Sequence, residues 1–177
     1  MKKLFLKYYF IVVICILCVV ASAQEYVIQR LTVSDGLPSD RVSCVYEDSY
    51  GYLWVGSSNG LGRYDGKKFT NYGFAEGLPY LQISAVFEDS RHRLWIGTTK
   101  GIARLSGNKF IPVNTIDKED YTSTYGFYEN NENDLWVLTN KGIYWLNDTV
   151  WKPATQPSLF SGKPCKGIIK SKSGLLF

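Results

Sequence analysis

Three tryptophans, Trp54, Trp95 and Trp136, stand 41 residues apart, and the chain around them keeps step. Gly60, Gly101 and Gly142 hold the same interval, as do Phe69, Phe110 and Trp151. Leu53-Trp54-Val55-Gly56 returns as Leu94-Trp95-Ile96-Gly97 and as Leu135-Trp136-Val137, and Asp35-Gly36-Leu37-Pro38 returns as Glu76-Gly77-Leu78-Pro79. So many anchors without slippage define a repeated unit, one that cannot bury its apolar face alone and must stack on its neighbours.

Within the second copy, Ile83-Ser84-Ala85-Val86-Phe87 suits a half-buried strand and Asp89-Ser90-Arg91-His92 a turn. Leu94 to Gly97 is a second strand, turned by Thr99-Lys100-Gly101; Ile102 to Leu105 and Phe110 to Val113 follow, parted by Ser106-Gly107-Asn108. Helical repeats of this length need long 3.6-period apolar runs, and none is present. Four strands in about 40 residues describe a propeller blade. The expected fold is all-β: an incomplete β-propeller with blades over about 42–72, 83–113 and 124–153, and a stub of a fourth at 165–177. Tyr26 to Thr32 reads as a fourth-strand equivalent, so residues 25–33 are expected to form a closing strand. Three blades and a stub do not close a ring of four to eight. The expectation is therefore that these residues are the front of a longer protein.

Residues 1–23 read as an export signal: Lys2, Lys3 and Lys7, an apolar run from Tyr8 to Val20, then Ala21-Ser22-Ala23 before Gln24. The competing reading is a retained anchor, but Lys7 leaves the run short of the roughly 20 apolar residues a span needs. Cleavage places residues 24–177 outside the cytoplasm. Loss of the three lysines takes the formal charge from +4 to +1, so no basic stripe remains and nucleic acid is not an expected partner. Cys44 and Cys165 occupy different positions of the repeat and read as small buried apolar residues rather than a disulfide. One histidine and no cysteine pair at ligand spacing give no metal site, and no cofactor is expected.

The repeated tryptophans could pass for sugar platforms, but a ring placed identically in each copy serves best as packing between blades. Glu47-Asp48 and Glu88-Asp89 resemble an acid/base pair. Adjacent strand residues face opposite ways, however, and the third copy reads Glu129-Asn130, so Asp or Asn opening a tight turn is the better account. No catalytic residues are assigned. The glycines at 60, 101 and 142 suit positive-φ turns. His92 reads as a solvated turn residue, and Asn147-Asp148-Thr149 as a hairpin tip that also fits the glycosylation acceptor pattern.

Strand alternation sends the turns between second and third strands, and the connections between blades, to one face of the disc. That face gathers Ser58, Asn59, Thr99, Lys100, Asn140 and Lys141 with Asp40, Arg41, Tyr80, Gln82 and Tyr121. Binding groups concentrate on such loops over a rigid scaffold, so these eleven are the candidate ligand-binding residues, suited to a glycan or another uncharged polar ligand.

The sequence resembles the two-component regulator propeller repeat. The residues that carry the likeness are Asp35-Gly36-Leu37-Pro38, Gly51 to Gly56, Gly60-Leu61 and Arg63-Tyr64-Asp65-Gly66, then Glu76 to Pro79, Leu94 to Thr98 and Gly101 to Leu105. The third copy departs from it: Leu138 replaces the glycine after the tryptophan strand, Trp145 replaces a small or basic residue, and no Gly-Leu-Pro precedes it. The resemblance implies the periplasmic sensor region of a sensor histidine kinase of Bacteroidetes type. Further blades, a β-sandwich, a membrane helix and the kinase would lie elsewhere in a dimeric, membrane-anchored parent that signals on binding an oligosaccharide. Two alternatives are a secreted propeller scaffold for protein partners and an extracellular carbohydrate-active enzyme. For the enzyme, Asp48 to Trp54 faintly resembles the Asp-box of sialidases, itself a structural turn.

Overall fold

Short runs of β-branched and aromatic residues, broken every five or six positions by Gly, Asp, Asn or Ser, leave the chain little choice but antiparallel hairpins. In the computed structural model they form 14 strands, described over residues 8–9, 28–113, 123–130, 133–147, 150–153, 169–171 and 174–176. The chain divides into two units, Met1–Arg30 and Leu31–Phe177. Tyr8 and Tyr9 of the first are helical; most of the expected export signal lies outside the described residues. No helix among the described residues is long and apolar enough to cross a membrane.

The second unit holds three four-stranded antiparallel sheets, each in simple up-and-down order. The first comprises β1 (Val42–Glu47), β2 (Leu53–Ser57), β3 (Gly60–Tyr64) and β4 (Phe69–Tyr72). β5 (Ile83–Glu88), β6 (Leu94–Thr98), β7 (Gly101–Ser106) and β8 (Lys109–Val113) form the second, and β9 (Thr124–Glu129), β10 (Leu135–Thr139), β11 (Gly142–Asn147) and β12 (Val150–Pro153) the third. Their outer bounds are 42–72, 83–113 and 124–153. Strands β13 (Ile169–Ser171) and β14 (Gly174–Leu176) form a hairpin where the fourth copy begins. The first strands lie side by side, β5 between β1 and β9. The architecture is an incomplete β-propeller.

The closing strand expected over 25–33 is not formed in its described part. Residues 28–32 are irregular and Val33–Asp35 is a 3-10 turn. A strand exists only through its ladder, and no described strand pairs with this segment. The 3-10 turn recurs at Phe74–Glu76. In each, the carboxylate of the last residue accepts the N–H three positions back, Thr32 N to Asp35 Oδ2 at 2.8 Å and Gly73 N to Glu76 Oε2 at 2.7 Å. Each then ends on a left-handed glycine, Gly36 (φ 99°) or Gly77 (φ 92°). A Cβ on Gly77 would stand 2.1 Å from the Phe110 carbonyl oxygen, so backbone proximity as well as φ requires glycine there. The following Leu37 and Leu78 are buried.

Among the repeated aromatics, Trp54, Phe110, Trp95 and Trp151 pack blade against blade. Trp54 (1% exposed) meets Tyr72 of its own blade at 5.6 Å and Phe110 of the next, edge-on, at 6.5 Å between ring centres. Trp95 meets Trp151 of the third blade the same way at 5.8 Å. Burying one such ring contributes several kcal/mol, on the order of 25 cal/mol per Å².

Bulges complete the joints. Each first strand slips register against its neighbour after its first residue, at Ser43, Ser84 and Tyr125. The bulge turns Ser43 Oγ toward the Ile83 carbonyl of the next blade (2.6 Å), and Ser84 Oγ likewise donates to the Thr124 carbonyl. Gly56 and Gly97 let those strands come close, since a Cβ on Gly97 would stand 2.5 Å from Thr124 Cγ2.

Candidate functional site

The turns joining first and second strands are built on one side chain each. Asp48 Oδ1 accepts the N–H groups of Tyr50 (3.0 Å) and Tyr52 (2.9 Å), while its Oδ2 accepts Trp54 Nε1 at 2.7 Å. Asp89 repeats this with Arg91 and Arg93 N–H and with Trp95 Nε1 at 2.8 Å, and Arg93 Nε adds a 2.6 Å ion pair. Burial acts to raise the Asp89 carboxyl, but the bonds from Trp95 and Arg93 outweigh it and hold the group below the ordinary carboxylate value. These carboxylates are spent on structure, in line with the turn-opening role expected of them.

The neighbouring glutamates do something the sequence reading missed. Glu88 reaches back to the first blade, its Oε2 accepting Ser49 N–H (2.7 Å) and its Oε1 the Ser49 hydroxyl (2.8 Å). Glu129 holds Ser90 of the second blade in the same two bonds at the same two distances. The signal was present: Glu47, Glu88 and Glu129 recur at the repeat interval, as do Ser49 and Ser90. His92, expected to be solvated, is 62% exposed yet sets Nδ1 3.0 Å from Ser49 Oγ and 3.3 Å from Glu88 Oε1. Cys44 is only half-buried, and burial pushes its thiol up; Cys165 lies outside the described residues.

Above this first joint is a cleft of about 370 Å³, walled by Tyr50, Tyr52, Trp54, Arg63, Glu88 and His92. The Arg63 guanidinium lies 4.6 Å from the Tyr52 ring centre and 5.7 Å from that of Trp54. Its Nε is buried with no hydrogen-bond partner.

The described candidate residues of the opposite face fall on turns and connections. Ser58 and Asn59 form the β2–β3 turn, Thr99 and Lys100 the β6–β7 turn, and Asn140 and Lys141 the β10–β11 turn. All three turns are fixed alike by a hydroxyl donating across to a glycine carbonyl: Ser57 to Gly60, Thr98 to Gly101 and Thr139 to Gly142, at 2.8–2.9 Å. Those glycines have φ of 111°, 122° and 131°. Ser58 N–H donates to the Arg41 carbonyl (3.1 Å) and Thr99 N–H to that of Gln82 (3.1 Å), drawing the connections onto the turns. Lys100 Nζ sits 4.5 Å from the Tyr80 ring centre. Ser123 joins two turns, giving Oγ to the Thr99 carbonyl and N–H to Asn140 Oδ1, both at 3.0 Å. The structure thus assembles Arg41 with Ser58, and Tyr80 and Gln82 with Thr99, Lys100 and Asn140. Asp40 and Lys141 stand exposed, and Tyr121 lies outside the described residues.

Residues 36–59 and 77–100 match the model of the two component regulator propeller. No curated protein matches the chain in sequence. Among solved structures, the chain is similar to the extracellular domain of the one component system BT4673 from B. thetaiotaomicron, at 22% identity and TM-score 0.70 over 86% of this chain and 24% of that one. The extracellular domain of the hybrid two component system BT3049 from the same organism gives 21% identity and TM-score 0.71, over 85% and 23%. Virginiamycin B lyase from Staphylococcus aureus follows at 19% and TM-score 0.58, over 78% and 49%. This chain therefore spans about a quarter of the length of the first two, and at these identities the likeness is one of fold. Repeat spacing, strand order and the matched segments agree: within this incomplete β-propeller, residues 36–59 and 77–100 are similar to the two component regulator propeller repeat.

Proposed function

We propose that this chain is part of an exported sensor region that binds a ligand outside the cytoplasm and signals through a histidine kinase carried elsewhere in its parent. The observation that supports this best is the match of residues 36–59 and 77–100 to the two component regulator propeller. The fold likeness to extracellular domains of such systems accords with it. So does the leader-like composition of residues 1–23.

In this reading the ligand is a glycan or other small polar molecule, and the rim that carries Arg41, Ser58, Tyr80, Gln82, Thr99, Lys100 and Asn140 receives it. Its turns are fixed by the repeated hydroxyl–glycine bonds, which pre-organises whatever they present. Binding would bias a dimeric parent between two packings and so set kinase activity. Reading the gene beyond the codon for Phe177 tests the proposal. Further copies of the repeat, a membrane helix and a kinase with its phosphoacceptor histidine are expected. A stop after one closed propeller would overturn the proposal in favour of a secreted scaffold.

A further inference from the structure

Of the three repeated glutamates, Glu88 holds Ser49 and Glu129 holds Ser90, each across a joint between blades. Glu47 is exposed and makes no side-chain bond among the described residues. The rest of its face is equally bare. Val42, Ile83 and Thr124 share one position of the repeat, and they are 45%, 1% and 0% exposed. At another shared position Val45 is 57% exposed and Val86 9%. What differs is the neighbour: β5 and β9 each have a preceding blade against them, and β1 has none among the described strands. Exposed apolar side chains beside an unbonded carboxylate, at positions covered in the next blades, mark an interface without its other half.

Pairing within the chain defines that other half. Ser49 goes with Glu88 and Ser90 with Glu129, but the next pair in sequence reads Asn131 and Lys170, so serine and glutamate change together. The chemistry explains why. A carboxylate only accepts, and serine offers it two donors, N–H and O–H; an ammonium only donates, and asparagine offers it a carbonyl. Glu47 therefore calls for a serine. The serine-bearing blades also reach forward with a second hydroxyl, Ser43 to the Ile83 carbonyl and Ser84 to that of Thr124. The equivalent acceptor on the open face is the Val42 carbonyl. We propose that this face receives a further blade of the same protein, with serine at both joint positions, which closes the ring through Glu47 and Val42.

Ser43 and Ser49 stand 11 and 5 residues before Trp54, as Ser84 and Ser90 do before Trp95. No free copy among these 177 residues fits that description. The first two copies already direct their serines to the blades that follow them, the third has Tyr125 and Asn131, and the fourth has Lys166 and Lys172. A second molecule of this chain offers the same set, so the matching blade is encoded beyond Phe177. The inference rests on the reading that further repeats follow, and not on the presence of a kinase.

The test is hydroxyl-radical footprinting of Val45, which reads side-chain exposure without mutation, in the 177-residue chain and in the intact gene product. Val45 should oxidise readily in the first and about sixfold more slowly in the second, the ratio between its exposure and that of Val86. The gene should encode a copy with serine 11 and 5 residues before its tryptophan. In the intact product Glu47→Gln should raise Val45 oxidation, replacing the second of those serines by alanine should do the same, and the two changes together should add little. Glu47→Gln in the 177-residue chain should change nothing, which separates loss of the joint from loss of the fold. Equal oxidation of Val45 in both proteins, absence of a copy with both serines, or additive effects of the two changes would each overturn the proposal. Protection of Val45 that grows with concentration of the 177-residue chain would overturn it too, by making the face a contact between two copies. A gene with the matching blade and no kinase would leave this inference standing while the sensor reading fell.

Discussion

The turn that opens at Asp89 and the turn that opens at Asn130 share the backbone bonds of their described residues and differ in the chemistry inside. In both, the first residue exchanges hydrogen bonds with the residue four positions on, and the fourth residue donates back to the first carbonyl. In both, that fourth residue, His92 or Asn133, is left-handed, at φ 57° and 62°. Asp89 has two acceptor oxygens and uses one for the turn and one for Trp95. Asn130 has one, and spends it on Asp134 N–H at 2.8 Å. Its amide nitrogen faces Asp134 Oδ2 at 3.0 Å, where the second copy has the Arg93 guanidinium facing Asp89. Trp136 Nε1 is accordingly buried without a partner. The backbone of the turn tolerates either residue; the anchoring of the tryptophan does not.

The largest way to break the comparison is to remove the rings. Trp95→Ala should cost about 3–5 kcal/mol in urea unfolding, and Trp136→Ala clearly less, because Trp136 is only half-buried. Equal losses would show that burial is not what separates the two copies.

Asp89→Asn should next turn the second copy into the third, at about 1.5–3 kcal/mol, since it strips the charge from a buried bond and orphans Trp95 Nε1. The same variant bears on pH. The folded Asp89 carboxyl sits below its unfolded value, so the unfolded chain binds more protons in acid. The contribution is whole above the ordinary carboxylate value of about 4 and is lost as pH falls through the folded one. Stability measured between pH 7 and pH 3 should therefore fall less in Asp89→Asn than in the native chain. Parallel curves would refute this.

A finer contrast comes from Trp→Phe, which deletes the indole N–H and keeps most of the ring. At 95 it should destabilise by about 1 kcal/mol, leaving Asp89 short of a donor; at 136 it should be neutral or better, because the N–H it removes has no partner. The same sign at both positions would contradict the accounting. The smallest effect is expected from rebuilding the second copy in the third. Asn130→Asp alone brings a carboxylate against Asp134 and should not stabilise. Asn130→Asp with Asp134→Arg should, by up to about 1 kcal/mol, with coupling visible in the double-mutant cycle.

Much of this could be read along the chain because a repeat interval compares the sequence with itself. Trp54, Trp95 and Trp136 announced the packing rings, and Gly60, Gly101 and Gly142 the left-handed turns. The glutamates at 47, 88 and 129 recur just as regularly, yet their role stayed hidden. Recurrence marks a residue as structural without saying which neighbour it serves, and Ser49 lies 39 residues from Glu88. The cleft was harder still. Its walls come from two blades and from positions that differ between copies, so no periodicity points to it.

The sequence by itself determined the blade: strand lengths from period-two alternation, turns from Asp and Gly, and the number of strands from the interval. Those are local properties, and each copy restates them. The joints were decided only by the tertiary structure. A bulge aims Ser43 at the next blade, Gly56 and Gly97 admit the neighbouring strand, and Glu88 crosses to Ser49. Such bonds form between groups that sequence order leaves far apart, and only the stacking of sheets brings them within 3 Å.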